Sequence, residues 1–482
     1  MRNKYTYGLT VLLAFALTAC GEDSSTGDTR LDQRVLGGDS QTDGGVSLTD
    51  GGSTGRTEQQ LRLSYVKQVT PRNGGTPRLD LVAYDFVDDE EINLTAELGA
   101  DGVDCATSLC RLNGDMTWVG WIAEGGALKV APIDLRQKRV RVEDTRVVAE
   151  RLVRNFEFTE FVPNPDAPTE GVIRQIVYSQ GQQMGSDGTI EVYTEPVAGF
   201  DEAACTEASP SCRNLAGRVS TNGGFRVTSE GSLIILIETT LSSMTLSFFN
   251  LGTTAQQTLY TFGEDGQTGS QFSGRLPIGL SPDASYLATF TNDAFMWRLN
   301  TLQARPSPPP PEALTLFEGP THPDGDCRRM GNFAFNEVRF NPVFSNDSEW
   351  IYFLAHGDCS RRGDPPTNRD DYDILRVNRT LEGEVENVTN TLKTTHWSNH
   401  NIGDFALSPD GTKVVFTAER MNNVGSRAIW LIDPETGEYD CSRRDELPVI
   451  DGRTRCEFIA DDSTGSDTTY RDLRFHVVDV PR

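Results

Sequence analysis

Apolar residues come along this chain in short runs, broken by Gly, Pro, Asp, Ser and Asn. Between Ala406 and Gly437 the order is a turn, an apolar strand from Val414 to Phe416, a polar loop, a second strand in AIWLID and a second turn. Almost no segment keeps apolar residues three or four apart for long enough to make an amphipathic helix, which argues against a mixed α/β domain. Short strands between turn signals predict an all-β fold.

The pattern repeats. Aligned on the turn Ser408-Pro409-Asp410-Gly411, earlier units place Asp347, Asp283, Glu230, Glu170 and Gly114 where Asp410 stands. The spacings from the N-terminal side are 56, 60, 53, 64 and 63. Near-equal spacing is the mark of a repeat architecture. Each unit has a strand into the turn, an apolar strand, a polar loop, a third strand such as YDILRV or AFMWRL, and often a fourth such as LTLFEG. Four short strands in such a unit predict a β-propeller blade. The turn has its own reason: Pro presets φ, Asp bonds nearby amides, and Gly accepts the left-handed conformation that ends it.

The unit S-P-D-G, apolar strand, then a strand closing in Asp433-Pro434-Glu435-Thr436-Gly437, resembles the TolB-type propeller repeat. The resemblance is good over residues 270–440 and weaker elsewhere. It implies a propeller over residues 61–482. Seven blades are expected, or six if one weak unit is an insertion. The N-terminal strands in QLRLSYVKQV and PRLDLVAYDF, with two C-terminal strands near Asp467, are expected to share one composite closing blade, which would leave no exposed edge to aggregate.

The first residues lie outside this pattern. Arg2 and Lys4 precede an apolar stretch from Gly8 to Leu17, too short to span a bilayer, which ends in Leu17-Thr18-Ala19-Cys20. This resembles the bacterial lipoprotein signal, which implies cleavage of residues 1–19 and lipidation of Cys20. Residues 21–60 contain 26 Gly, Ser, Thr and Asp and no aromatic. Such a composition cannot bury enough surface to fold, so residues 20–60 read as a lipidated tether. Its reach is roughly 35 Å by random-coil scaling. The implied location is the bacterial cell envelope, at the outer membrane.

Charge narrows the partners. With 44 Lys+Arg against 70 Asp+Glu, the formal net charge is −26. Nucleic acid and anionic lipid surfaces would be repelled. Of nine cysteines, Cys20 is assigned to lipid. The other eight are Cys105, Cys110, Cys205, Cys212, Cys327, Cys359, Cys441 and Cys456. An exported chain meets an oxidising compartment, so disulfides are expected. Pairing of sequence neighbours (105–110, 205–212, 327–359, 441–456) is the simplest of many sets. No C-x-x-C occurs, which weakens a zinc or thiol-redox reading.

In a propeller, the loops between second and third strands and the loops between blades open on one face. That gathers His322, His356, Arg361, Arg362, His396, Trp397, His400 and Arg420 over blades 5 and 6 as a candidate binding face. Long loops in compact domains tend to be functional; solvated loop residues are the plainer reading of the same set. His396 and His400 with Asp324 or Asp358 could hold zinc, but no metal site is expected. Asp370, Asp371 and Asp373 lack the Gly and Glu of a calcium loop and read as a solvated acidic turn. No catalytic constellation and no cofactor motif emerges. The expected function is a monomeric, non-enzymatic scaffold for an envelope protein or peptide, with the membrane reached only through the lipid. The alternative is a propeller that binds or hydrolyses a small molecule or glycan over blades 5 and 6, with or without the help of a metal.

Overall fold

The repeated turn folds by one scheme. The protein is seen in a computed structural model that describes residues 57–95, 109–161, 173–181, 190–197, 214–219, 225–227, 233–239, 244–250, 256–262, 278–282, 285–290, 294–298, 312–314, 342–356, 372–380, 386–389, 402–420, 423–439, 457–460 and 466–481. In blade 6 the Ser408 amide donates to the Lys413 carbonyl (2.9 Å), and the Lys413 amide donates back to the Ser408 hydroxyl oxygen (2.9 Å). The Ser408 hydroxyl donates to Asp410 Oδ1 (2.5 Å), which also accepts from the Thr412 amide (3.1 Å). Blade 5 does the same with Ser345, Trp350, Asp347 and Glu349. Blade 4 keeps the Ser281–Tyr286 pair of bonds, at 2.9 and 2.8 Å.

Blade 1 corrects the alignment read from sequence. There Asn113 replaces the serine: the Trp118 amide donates to Asn113 Oδ1 (2.8 Å), and Asn113 Nδ2 donates to Asp115 Oδ1 (2.6 Å). The carboxylate of this turn is therefore Asp115, one residue beyond Gly114. Gly411 has φ 72°, as a turn-closing glycine should, and Met116 (φ 56°) and Ser348 (φ 60°) hold the same left-handed position in blades 1 and 5. The hydrogen-bond box fixes that conformation even where no glycine makes it easy.

Asp410 shows how strongly the box holds its carboxylate. Burial alone would raise its pKa, but the Ser408 hydroxyl and the Thr412 amide and hydroxyl outweigh it and hold it below the usual range. A depressed folded-state pKa adds stability that is present above the unfolded value and lost as pH falls through the folded one. Asp410→Ala is expected to lower the unfolding free energy by about 1 kcal/mol at neutral pH. The difference from wild type in urea titrations should shrink toward strongly acidic pH.

The described strands form seven antiparallel sheets. Blade 1 holds Cys110–Leu112, Trp118–Ile122, Leu128–Asp134 and Arg139–Val140, with Arg146–Ala149 also paired to the third strand. Blade 2 is Val153–Phe161, Ile173–Gln180, Ile190–Pro196 and Asn214–Val219. Blade 3 is Phe225–Val227, Leu233–Thr239, Met244–Asn250 and Gln256–Phe262. Blade 4 is Ile278–Leu280, Tyr286–Phe290, Ala294–Arg298 and Glu312–Leu314. Blade 5 is Val343–Phe344, Trp350–His356, Tyr372–Asn378 and Glu386–Asn387. Blade 6 is Asp404–Leu407, Val414–Arg420 and Asn423–Ile432, with Ile459 bridged to Ile429 at its outer edge.

The seventh sheet joins the chain ends, but not two strands to two. Ser466–Pro481 alone pairs with Thr57–Pro71, followed by Arg78–Asp85 and Glu90–Asn93. The division is one C-terminal strand to three N-terminal ones. The third N-terminal strand, EEIN, is almost wholly polar, so it carries no apolar alternation to betray it.

Apolar clusters set the order of the sheets. Val66, Leu81 and Val478 of the closing blade pack with Leu112, Val119 and Trp121 of blade 1. Leu128 and Val130 of blade 1 meet Phe156 and Ile176 of blade 2. Val177 and Val192 meet Phe225 and Ile234 of blade 3. Tyr352 and Ile374 of blade 5 meet Phe405 and Trp430 of blade 6. Val415 and Ile429 of blade 6 return to Leu63 and Tyr65 of the closing blade. Blades 4 and 5 come so close that a side chain at Gly279 would meet the Pro342 carbonyl oxygen at 2.3 Å. The succession is that of a β-propeller, with neighbouring sheets packed face to face wherever these clusters join them.

Candidate functional site: charges on the inner strands

The first strands of blades 1 and 2, 2 and 3, 4 and 5, and 6 and 7 touch one another. In the closing blade that first strand is Ser466–Pro481. These edges converge on the axis. Five of them carry charge: Arg226 (blade 3), Glu157 (blade 2), Arg111 (blade 1), Asp472 and Arg474 (blade 7), and Asp404 (blade 6).

Glu157 is shared. Its Oε1 lies 3.5 Å from Arg111 Nη1 and 3.6 Å from Arg226 Nη1. Its Oε2 accepts from the Val227 amide at 3.2 Å. Arg111 also donates to the Phe156 carbonyl and lies over the Phe156 ring, and Arg226 donates to the Phe225 carbonyl. Burial first, then Arg474, push the Arg111 guanidinium down, against the pull of Glu157. Arg474 is exposed and makes no ion pair with a described residue.

A bulge creates this arrangement. Along the closing strand Ser64 faces Arg474 and Val66 faces Arg471, so Asp472 and Leu473 together oppose Tyr65. Asp472 takes the left-handed conformation, φ 57°. Bulges bend and re-aim a strand. Here the Leu473 amide turns to donate to Asp404 Oδ2 (3.0 Å), while Asp404 Oδ1 accepts from the Phe405 amide (3.0 Å). Burial, and next the charge of Asp472, nevertheless push the Asp404 carboxyl up to about 7.

His476 lies two residues beyond Arg474 and is buried. Its Nε2 is 2.8 Å from Ser64 Oγ and its Nδ1 is 3.3 Å from the Gly114 carbonyl oxygen. A carbonyl only accepts, so Nδ1 carries the proton and Nε2 accepts from the Ser64 hydroxyl. Burial and then Arg474 push its pKa down to about 4. His476 thus ties the closing strand to the turn of blade 1 and stays neutral.

Most of the residues singled out from sequence are not among those described. His322, Arg361, Arg362, His396, Trp397 and His400 lie outside the described residues, as do Asp324, Asp358 and Cys20. His356 ends the second strand of blade 5, paired with Tyr372. Arg420 ends the second strand of blade 6 and is buried, its Nε 3.4 Å from Glu457 Oε1, so its charge is committed inside the blade. Asp373 is no solvated acidic turn: it is buried and accepts from Asn387 Nδ2 and the Thr389 hydroxyl, both at 3.1 Å. Cys110 is buried on the inner strand of blade 1 and disulfide-bonded. Cys105, Cys205, Cys212, Cys327, Cys359, Cys441 and Cys456 lie outside the described residues. Among the described residues no group of three His, Cys, Asp or Glu is placed to hold a metal.

No known protein family and no curated protein matches the chain. Solved structures similar to it include the Dos1 propeller, at 10% identity and a TM-score of 0.40, covering 73% of this chain and 74% of that one. Another is the acylaminoacyl peptidase of Pyrococcus horikoshii, at 9% identity and a TM-score of 0.41 over 77% of this chain; the match spans about half, 49%, of the peptidase. A third is oligogalacturonate lyase in complex with manganese, at 12% identity and a TM-score of 0.35, covering 69% and 71%. No residue role is carried over from any of them.

Proposed function

We propose that this chain is a binding module of the bacterial cell envelope, held to the outer membrane by a lipid on Cys20, whose propeller receives a protein or peptide and catalyses no reaction. One observation carries the binding part. Five inner strands of the ring carry charged side chains, and one of these, Arg474, is exposed and makes no ion pair with a described residue. Sites built on rigid strands bind with little loss of conformational freedom. The Leu17-to-Cys20 signal and the Gly/Ser/Thr/Asp tether support the anchoring. The partial likeness of the blade 6 repeat to TolB-type propellers agrees with an envelope role.

The test places a photo-crosslinking amino acid at position 477, an exposed site on the closing strand, in the full chain and irradiates intact cells. A discrete peptide or protein adduct, abolished by excess unlabelled protein, is expected. Fatty-acid incorporation should disappear in Cys20→Ala. Lipid incorporation that survives this change would remove the anchor, and irradiation that yields no competed adduct would remove the scaffold.

A further inference from the structure

We infer that Asn73 is a site of spontaneous covalent modification, at which the side-chain amide is lost through a cyclic imide. Two described asparagines precede a glycine, Asn73-Gly74 and Asn113-Gly114, and the fold treats them in opposite ways. A third such pair, Asn222-Gly223, lies outside the described residues. The glycine matters because the attacking atom is its backbone nitrogen, and without a Cβ that peptide turns easily toward the asparagine side chain.

Asn73 sits in the turn between Thr57–Pro71 and Arg78–Asp85, where residues 72 to 77 are all exposed. The Gly74 amide donates to the Pro71 carbonyl oxygen at 3.2 Å, a long bond open to water. Asn73 Oδ1 accepts from the Gly75 amide at 3.2 Å. That donor points at the oxygen on which charge gathers when Cγ is attacked, so the turn polarises the reacting carbon. Asn113 differs in its side chain and not in its neighbour, for Gly114 is exposed as Gly74 is. The Asn113 side chain is buried: Oδ1 accepts from the Trp118 amide at 2.8 Å, and Nδ2 donates to Asp115 Oδ1 at 2.6 Å and to Thr117 Oγ1 at 3.1 Å. Attack at Asn113 would first have to break the box that holds the blade 1 turn.

The chemistry balances with water alone. The Gly74 nitrogen bonds to Asn73 Cγ and gives up its proton, the Cγ–Nδ2 bond breaks, and ammonia leaves. Water then opens the imide. Opening at Cγ leaves aspartate; opening at the Asn73 backbone carbonyl carbon leaves isoaspartate, with the main chain rerouted through Cβ and Cγ. Either product puts a new negative charge on the residue after Arg72, whose Nε and Nη2 both lie 2.8 Å from Asp467 Oδ1.

The experiment incubates the full chain in heavy-oxygen water at mildly alkaline pH, folded and in guanidinium chloride, and follows the peptides that contain Asn73 and Asn113 by mass spectrometry. In the folded chain Asn73 is expected to convert at least about tenfold faster than Asn113, the factor set by giving up about two hydrogen bonds. Each product should carry one heavy oxygen, and an isoaspartyl-directed methyltransferase should label part of it. In denaturant the two rates should converge, since both asparagines precede glycine. Asn73→Ser should remove the acidic form that ion exchange resolves, and Asn73→Asp should elute with it. Equal rates in the folded chain, or an Asn73 that stays intact while the unfolded chain converts, would overturn the site. A rate gap that persists unchanged in denaturant would overturn its structural basis.

Discussion

Asp85→Asn is expected to lower the unfolding free energy by about 3–5 kcal/mol, the cost of leaving a buried charge without its partner. Arg62 and Asp85 face each other on the first two N-terminal strands of the closing blade. Arg62 Nη2 donates to Asp85 Oδ2 at 2.7 Å, and the side chains are 4% and 1% exposed. Asp85 also holds the following turn, for its Oδ1 accepts from the amides of Val87 (2.9 Å) and Asp88 (3.3 Å). Asparagine keeps that second acceptor and removes only the charge. The double variant Arg62→Met, Asp85→Asn should therefore recover most of the loss, because no unpaired guanidinium remains inside. Urea unfolding of wild type, single and double variants completes the cycle. Equal destabilisation of both variants would show that the pair contributes little and that the asparagine itself is what the site rejects.

The consequence reaches the inner ring. Thr57–Pro71 is the strand on which the single C-terminal strand depends, and that C-terminal strand carries Asp472, Arg474 and His476. Loosening Arg62 and Asp85 should therefore disturb these residues before it disturbs blades 3 to 5. Hydrogen exchange would show this as earlier loss of protection at Leu473 and Phe475 than at Ile374 or Val377.

How much of this the sequence discloses depends on how local each feature is. The turn at Ser408 to Gly411 is legible because all its bonds close within six residues. Blade 1 misleads by one position because Asn113 does with an amide what serine does with a hydroxyl, and Gly114 draws the eye as the turn glycine. The split of the closing blade is harder, since Glu90–Asn93 has polar residues at three of four positions and pairs only because Val82 to Asp85 lies beside it. The inner-strand charges are the least legible part. Arg111, Glu157, Arg226 and Arg474 sit on strands where sequence reads them as ordinary solvent-facing residues. Nothing local says that those strands are the inner edges of a ring. The histidines gathered from loop position did not include His476, the one whose surroundings the structure describes in full.

His476 and Asp404 make the pH dependence a test of the same region. His476 is held near 4 in the fold and would titrate near its ordinary value of about 6.5 when unfolded. Between those values the unfolded chain binds more protons, so this residue's contribution is complete above about pH 6.5 and is lost as pH falls toward 4. Its size is about 3 kcal/mol, from the separation of the two values. Asp404 works the other way. Its carboxyl is raised to about 7 in the fold, against an unfolded value near 3.9, so the folded chain binds more protons between them and stability falls as pH rises across that range. Burial comes first in both shifts; next, Arg474 lowers His476 against the opposite pull of Asp115, and Asp472 raises Asp404. In wild type the two slopes oppose each other over the same interval and largely hide one another. Asp404→Asn removes one, and the melting temperature of this variant relative to wild type should climb from pH 4 to pH 6.5. His476→Asn removes the other, and its melting temperature relative to wild type should fall across the same range. Calorimetry of the three proteins at matched pH reads the difference directly, since every other carboxylate is common to all. Curves that stay parallel to wild type in both variants would mean that neither group changes its protonation on unfolding. The closing strand would then be held by its backbone alone.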